Sequence, residues 1–400
     1  MLNAGIVLCH KCGRVTSDAY YYHSTYNVWV QLKRKPLGGL YVEHFVPEYA
    51  SDSKNVDCRY SVLNRAARRG AQIGQDNFQH TIKVDLTIDG DKKGTVSFKR
   101  CCPFCAETGL NEIIMGMGDL PTYVIGVMGV RQVGKSCWIH ALGCAENQNA
   151  VNRFPHYLSS EAVEDSSSPR IDATQLNDMG KTKIITINKP SRKGGIPVVA
   201  VLVLDFAGEI FEEDKEKEFE ESSGYALLGG TEGYSGLDAV VVMDAPDSSN
   251  MNDPRFVAAF NRARKYGLLT GRPVAYVFNQ ADRLFANPPM QELSNRPDYQ
   301  VPLLNKETFC KTSKDQYAKD KLLRRIKLQT VLAGRHSALA PLIYQENPQS
   351  AGFFVKSTQP EEGGRVLNFK ESINVMDPLI WILNELDVFP IDEPRSKTDR

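Results

Sequence analysis

Residues 129–136 read Gly-Val-Arg-Gln-Val-Gly-Lys-Ser, the spacing GxxxxGK[ST]. The chemistry it suits is phosphate binding. The two glycines let backbone N–H groups approach phosphate oxygens, and the helix N-terminus that follows adds positive potential. Lys135 is placed to reach β- and γ-phosphates, and the Ser136 hydroxyl to hold Mg²⁺. The flanks agree with this. Tyr123-Val124-Ile125-Gly126-Val127-Met128 is a short apolar strand pattern, and Cys137-Trp138-Ile139-His140-Ala141-Leu142 starts a helix. Strand, glycine loop and helix together turn the pattern into a candidate site, with Gly129, Arg131, Gly134, Lys135, Ser136 and Cys137 around the phosphates.

Three later segments extend the constellation. The apolar run Val198–Leu204 ends in Asp205-Phe206-Ala207-Gly208-Glu209. A carboxylate at that strand's end sits opposite Ser136 and helps hold Mg²⁺, while Gly208 offers its N–H to a γ-phosphate. The competing reading is a turn capped by Asp205. Pro273–Phe278 is another apolar strand, leading into Asn279-Gln280-Ala281-Asp282. Its bland reading is a strand-end Asn followed by a helix-capping Asp. Gly352-Phe353-Phe354-Val355 then runs into Lys356-Ser357.

In this order the segments resemble those of the P-loop GTPases. The resemblance implies that Asp282 reads the guanine N1–H and exocyclic amine, that Asn279 braces base and phosphate loop, and that Ser357 lies in the loop touching the base carbonyl. Gln280 stands where that family usually has a Lys stacked along the base. The Mg²⁺-sensing threonine is expected between the first helix and the strand ending at Asp205. Thr182 is best placed and Thr174 is the alternative. Glu209 stands where many GTPases carry the Gln that orients water, and its charge repels the γ-phosphate. Arg131 fills a loop position where Ras-like proteins need Gly. Lys135, Glu209 and Thr182 are therefore the expected catalytic set, with slow intrinsic hydrolysis and activation by a partner or by dimerisation.

Metal chemistry of a second kind is suggested by Cys9-His10-Lys11-Cys12-Gly13 and Cys102-Pro103-Phe104-Cys105. Each CxxC presents two thiolates to one tetrahedral ion, so Cys9, Cys12, Cys102 and Cys105 are a candidate Zn²⁺ site. Cys101 can replace Cys102, and His10 is a further alternative. A redox CxxC wants a thioredoxin-like context that the sequence lacks. Cys58, Cys137, Cys144 and Cys310 read as ordinary buried or free thiols.

The elements that must position these groups divide the chain near residue 120. Residues 1–118 read as a zinc-ribbon module with a β-rich insertion between its knuckles. Within the insertion, Asn27–Leu32 and Thr81–Ile88 alternate apolar and polar residues, and Asp89–Gly94 is a hairpin turn into Thr95–Phe98. From 119 to 390, strands at 122–128, 183–188, 198–206, 238–244, 274–278 and 352–356 alternate with helices at 135–147, 253–267, 314–335 and 374–386. This predicts an α/β fold, a mostly parallel P-loop NTPase sheet with helices on both faces. Loops are expected at 158–180, 210–235 and 286–313, a solvated charged face at 212–218, and a flexible tail at 391–400.

The 400 residues carry 48 basic and 48 acidic side chains and a net charge of zero. That balance argues against binding nucleic acid or acidic membrane through bulk charge. No apolar run approaches a membrane span, and no leader pattern opens the chain, so a cytoplasmic protein is expected. A local nucleic-acid surface is conceivable on the N-terminal module, from Arg65, Arg68, Arg69, Lys92, Lys93, Lys99 and Arg100 with Tyr20, Tyr21, Tyr22, Tyr26 and Trp29; solvated charges around an aromatic core is the alternative.

Over residues 120–390 the ordered motifs are similar to TRAFAC-type GTPases. The Arg in the phosphate loop, Asp-Phe-Ala-Gly-Glu, the closing Val375–Leu383 and the N-terminal cysteine pairs resemble the bacterial double-GTPase families of conflict and defence operons. Those GTPases are thought to regulate partner effectors. The resemblance implies a Mg²⁺-dependent GTP/GDP switch with a protein effector or activator. An ATPase, or a zinc-dependent adaptor that binds nucleotide without turnover, are the alternatives. The closing helix is expected to pack Leu379, Ile380, Ile382 and Leu383 on the sheet.

Overall fold

The computed structural model describes residues 1–2, 6–9, 14–36, 40–48, 54–61, 81–104, 120–129, 133–144, 157–160, 167–168, 183–191, 194–206, 217, 236–245, 254–281, 319–336, 339–357, 359–360, 367–368, 372 and 374–388. The chain forms two compact units, Met1–Thr122 with Gly229–Tyr234, and Tyr123–Leu228 with Ser235–Arg400.

The first unit is built of strands. β1 (Val7–Leu8) and β2 (Val15–Thr16) form a small antiparallel ladder. β3 (Ala19–His23), β4 (Val28–Arg34), β5 (Leu40–Phe45), β6 (Val56–Tyr60), β7 (Thr81–Ile88) and β8 (Asp91–Arg100) make a six-stranded sheet in the order β5-β4-β3-β8-β7-β6. The described ladders in it are antiparallel. The two ends of that order meet, with Cys58 Sγ 3.9 Å from the Val42 carbonyl, so the sheet curls around one core. Strict alternation puts Tyr21, Val28, Val30, Leu32, Ile82, Val84, Leu86 and Phe98 inside. The opposite face gathers Tyr20, Trp29, Tyr22 and Phe45.

The β7–β8 hairpin is tighter than its sequence suggests. Asp89 and Gly90, at φ 50° and 82°, complete the turn alone, as a two-residue hairpin turn of matching twist requires. Gly94, expected in that turn, lies in β8 at φ 81°, where the ladder register shifts.

The second unit has a seven-stranded sheet. Its strands are β9 (Thr122–Met128), β10 (Tyr157–Ser160), β12 (Lys183–Ser191), β13 (Gly194–Asp205), β14 (Ala239–Asp244), β15 (Val274–Phe278) and β16 (Ser350–Phe354), in the order β10-β12-β13-β9-β14-β15-β16. Short strands β11 (Ser167–Ser168), β17 (Gln359–Pro360) and β18 (Leu367–Asn368) make a separate small sheet. The helices are α1 (Lys135–Gly143), α2 (Pro254–Lys265), α3 (Lys319–His336), α4 (Leu339–Glu346) and α5 (Asp377–Glu385).

The large sheet is mixed rather than mostly parallel. β9, β14, β15 and β16 run parallel, but β12 pairs antiparallel with both β10 and β13. The reason is the connection. Only residues 192–193 separate β12 from β13, and so short a link permits a hairpin but no parallel crossover. Other differences are at boundaries: α1 closes at Gly143, β16 begins and ends two residues before the expected 352–356, and α4 was not anticipated. The charged run 212–218 lies outside the described residues except Lys217, which is helical. Leu379, Ile380, Ile382 and Leu383 are fully buried on α5, as its apolar pattern requires.

Candidate functional site

Parallel pairing delivers the motif loops to one edge. In register, Val242 faces Met128, Asp244 faces Phe278, and Phe278 faces Phe354. The residues just past these strand ends are Gly129, Ala245, Asn279 and Val355. In open α/β sheets, ligands bind outside the carboxyl ends of such strands.

The phosphate loop follows buried β9. Gly129 sits at φ 152°, and a Cβ there would press into the Met243 carbonyl on β14. Gly134 sits at φ 83°, and a Cβ there would collide with the Asn279 amide nitrogen. Both positions are therefore closed to side chains. Gly134 precedes α1 and offers no side-chain cap to its first N–H groups. Lys135 is largely buried, and its Nζ donates to the Gly129 carbonyl across the loop at 2.9 Å.

β13 brings Asp205 beside this loop. The Phe206 N–H donates to the Val127 carbonyl at 3.0 Å, fixing the strand end against β9. The Ser136 hydroxyl then donates to Asp205 Oδ2 at 2.5 Å, with Asp205 fully buried. A hydroxyl and a carboxylate converging at a phosphate loop are oxygen donors suited to a hard divalent cation. Cys137, next on α1, is half-buried.

Asn279 braces the loop from β15. Its Nδ2 donates to the carbonyls of Val133 (3.0 Å) and Gly134 (3.2 Å), and its backbone N–H donates to the Asp244 carbonyl. Asn279 is fully buried, so these bonds are unscreened by solvent. The β16 loop docks alongside. Val355 N–H donates to the Phe278 carbonyl, and Ala281 N–H to the Val355 carbonyl. Ser357 is buried within that loop. Gln280 between them has φ 55°, outside the usual range of an L-residue.

The structure thus gathers Gly129, Gly134, Lys135, Ser136, Asp205 and Asn279, with Ser357 on the neighbouring loop. Arg131, Thr174, Thr182, Gly208, Glu209 and Asp282 lie outside the described residues. Two groups escaped the sequence reading. Asp244 closes β14 at the same edge and accepts from the Tyr276 hydroxyl at 3.1 Å; the signal was a carboxylate ending an apolar run, as at Asp205. Trp138, read as plain helix, ties α1 to the Val375 carbonyl at 2.9 Å.

In the first unit, Cys9 and Cys102 are buried, while His10, Cys12 and Cys105 lie outside the described residues. Among the described residues no three His, Cys, Asp or Glu side chains gather as a metal cluster. Cys9 opens the turn between β1 and β2, its N–H donating to the Arg14 carbonyl at 2.9 Å. Arg14 lies over the Phe104 ring, 5.2 Å from its centre, so the segments carrying the two cysteine pairs come together.

The conceivable nucleic-acid surface loses members. Tyr21 and Arg100 are buried, and Tyr20 and Trp29 are nearly so, packed with Phe45 and Tyr22. Arg65, Arg68 and Arg69 lie outside the described residues. Burial, reinforced by the neighbouring Asp18, pushes the Tyr20 phenol up to about 12. No described helix is long and apolar enough to cross a membrane.

No protein-family profile matches the sequence, and no curated protein matches it. Among solved structures, the chain is similar to the G domain of the FeoB iron transporter of T. maritima, at 11% identity over 43% of this chain and 81% of that one, with a TM-score of 0.21. It is also similar to a GTP-binding protein from the archaeon Sulfolobus solfataricus in complex with GDP, at 16% identity and a TM-score of 0.24. That match covers 51% of this chain and 52% of the other, so the chain spans about half that protein's length.

Proposed function

We propose that this protein binds guanine nucleotides with Mg²⁺ at the Gly129–Ser136 loop, hydrolyses GTP slowly, and acts as a switch for protein partners. The observation that carries the reading is the Ser136–Asp205 contact, made beside a glycine loop whose Val133 and Gly134 carbonyls are held by Asn279. The residues present fit the ion and the phosphates. Two oxygen donors converge, both glycine positions exclude side chains, and a lysine lies across the loop.

Ser136 and Asp205 would hold Mg²⁺, which when bound would supply neutralisation of phosphate charge. Lys135 would exchange the Gly129 carbonyl for phosphate oxygens. Asn279 orients the loop, and Asp282 is assigned the guanine edge. Glu209 and Arg131 are the basis for slow turnover, with Thr182 as γ-phosphate sensor. Zinc at Cys9, Cys12, Cys102 and Cys105 would staple the first unit as a docking module; the Arg14–Phe104 contact supports that reading. Regulation of effectors, in a bacterial conflict or defence setting, follows from the resemblance alone.

Calorimetry with GTP, GDP and ATP tests the nucleotide assignment. Guanine nucleotides bind at least tenfold tighter than ATP in the presence of Mg²⁺, and Asp282→Asn moves the preference to xanthine nucleotides. Equal binding of ATP, or an unchanged preference in Asp282→Asn, refutes the guanine assignment. Hydrolysis at several turnovers per second by the protein alone refutes the slow switch.

A further inference from the structure

Ser372, Asn374 and Val375, just before α5, bond to residues on both sides of the candidate site. The Ser372 hydroxyl donates to the Ser357 carbonyl at 2.5 Å, on the loop assigned to the base. Asn374 Nδ2 donates to the Phe354 carbonyl at 3.0 Å, at the root of that loop. One residue on, the Val375 carbonyl accepts the Trp138 indole N–H at 2.9 Å. Trp138 is fully buried on α1, three residues after Lys135 and two after Ser136. Asp377 ends the segment in a two-pronged bond from Arg325, at 2.8 and 2.7 Å, with both groups buried.

The segment has little freedom. Asn374 holds φ 57°, a left-handed conformation that Asn tolerates better than most residues. Asp377 N–H closes back on the Asn374 carbonyl. The Gln329 side chain donates toward Asp377 and accepts from the Phe354 N–H, so α3 grips segment and β16 together. With Trp138 and Val375 both buried, a shift of α1 away from the segment strands a donor and an acceptor where water does not reach them.

We propose that Ser372 and Asn374–Asp377 form a strap that fixes the phosphate-loop helix relative to the base-side loop, making Trp138 and Ser372 positioning residues for the nucleotide. The strap rests on the nucleotide reading above. It makes the two halves of the site interdependent, so disturbance of the Ser357 loop reaches Lys135 and Ser136 through Trp138.

A double-mutant cycle with Trp138→Phe, which keeps a ring and removes the N–H, and Ser372→Ala tests this on the full chain by GTP titration. Each single variant weakens GTP binding by roughly three- to tenfold, and the double variant is no weaker than the worse single one. Ser372→Thr keeps the hydroxyl and retains wild-type affinity. The indole N–H resonance of Trp138, one of three tryptophans, shifts in Ser372→Ala without any nucleotide. Multiplied losses in the cycle with an unmoved indole resonance overturn the strap. Absence of GTP binding in the wild type overturns the nucleotide reading instead, and the indole shift then decides the strap by itself.

Discussion

Ser136 Oγ lies 2.5 Å from Asp205 Oδ2, a bond that joins the first turn of one helix to the end of a strand 69 residues away. It links the start of α1 to the end of β13. It also couples the two oxygen donors assigned to Mg²⁺.

Ser136→Ala removes one of those donors with little change in volume. We expect Mg²⁺-dependent GTP affinity to fall by tenfold or more, about 1.4 kcal/mol, while Mg²⁺-free binding changes little. Titration with and without EDTA checks this; equal losses in both conditions count against a role in holding the ion.

Gly134 is at φ 83° and touches the Asn279 amide. Gly134→Ala therefore strains the backbone and displaces the brace. The expected cost is about 1–3 kcal/mol of stability, from a left-handed non-glycine residue, together with loss of measurable GTP binding. Urea denaturation and calorimetry on one preparation separate the two effects.

The Arg325–Asp377 pair is buried from end to end. Burial pushes the Asp377 carboxyl up, against the downward pull of Arg325 and Gln329. Asp377→Ala removes the buried carboxylate that this guanidinium grips at two points, and we expect a loss of about 3–5 kcal/mol. Arg325→Met with Asp377→Leu should recover most of it, as measured by urea midpoints. A double variant as unstable as Asp377→Ala would mean that the pair is irreplaceable by packing.

Cys58 and Tyr20 contribute to a pH signature of the first unit. Burial lifts the Cys58 thiol to about 11 from an ordinary value of 9.0, and the Tyr20 phenol to about 12 from 10.0. Both bind their protons more tightly when folded. Their stabilisation is thus complete below pH 9 and is lost as pH rises toward 11 to 12. Thermal melts should show the first unit weakening across that window. Cys58→Ala with Tyr20→Phe should flatten the decline, and an unchanged slope would assign it to other groups.

Zinc bound by the cysteine pairs should survive purification without chelator at close to one ion per chain. Cys12→Ser and Cys105→Ser should each release it and lower the melting temperature of the first unit. Elemental analysis together with melting curves tests this. A metal-free, equally stable wild type would remove the zinc assignment.

Much of the second unit was legible in sequence because its signals are local. Apolar runs such as Val198–Leu204 and Val274–Phe278 read as buried strands from their short length and β-branched content, and the spacing from Gly129 to Ser136 marks a strand–loop–helix junction. Sheet order and the mixed polarity were less so. β12 and β13 pair antiparallel with two residues between them, although their apolar runs also fit a parallel arrangement.

The sequence by itself determined where the phosphate loop begins, which strands are buried, and that Asp205 and Asn279 stand at strand ends. Those follow from residue type, spacing and period. Only tertiary structure decided that Asn279 spends its amide on Val133 and Gly134, that Asp205 meets Ser136, and that Trp138 is tied to Val375 across 237 residues of chain. Such contacts leave no periodic trace. They depend on which buried carbonyl a donor meets once the sheet has closed, and burial then makes each bond costly to lose.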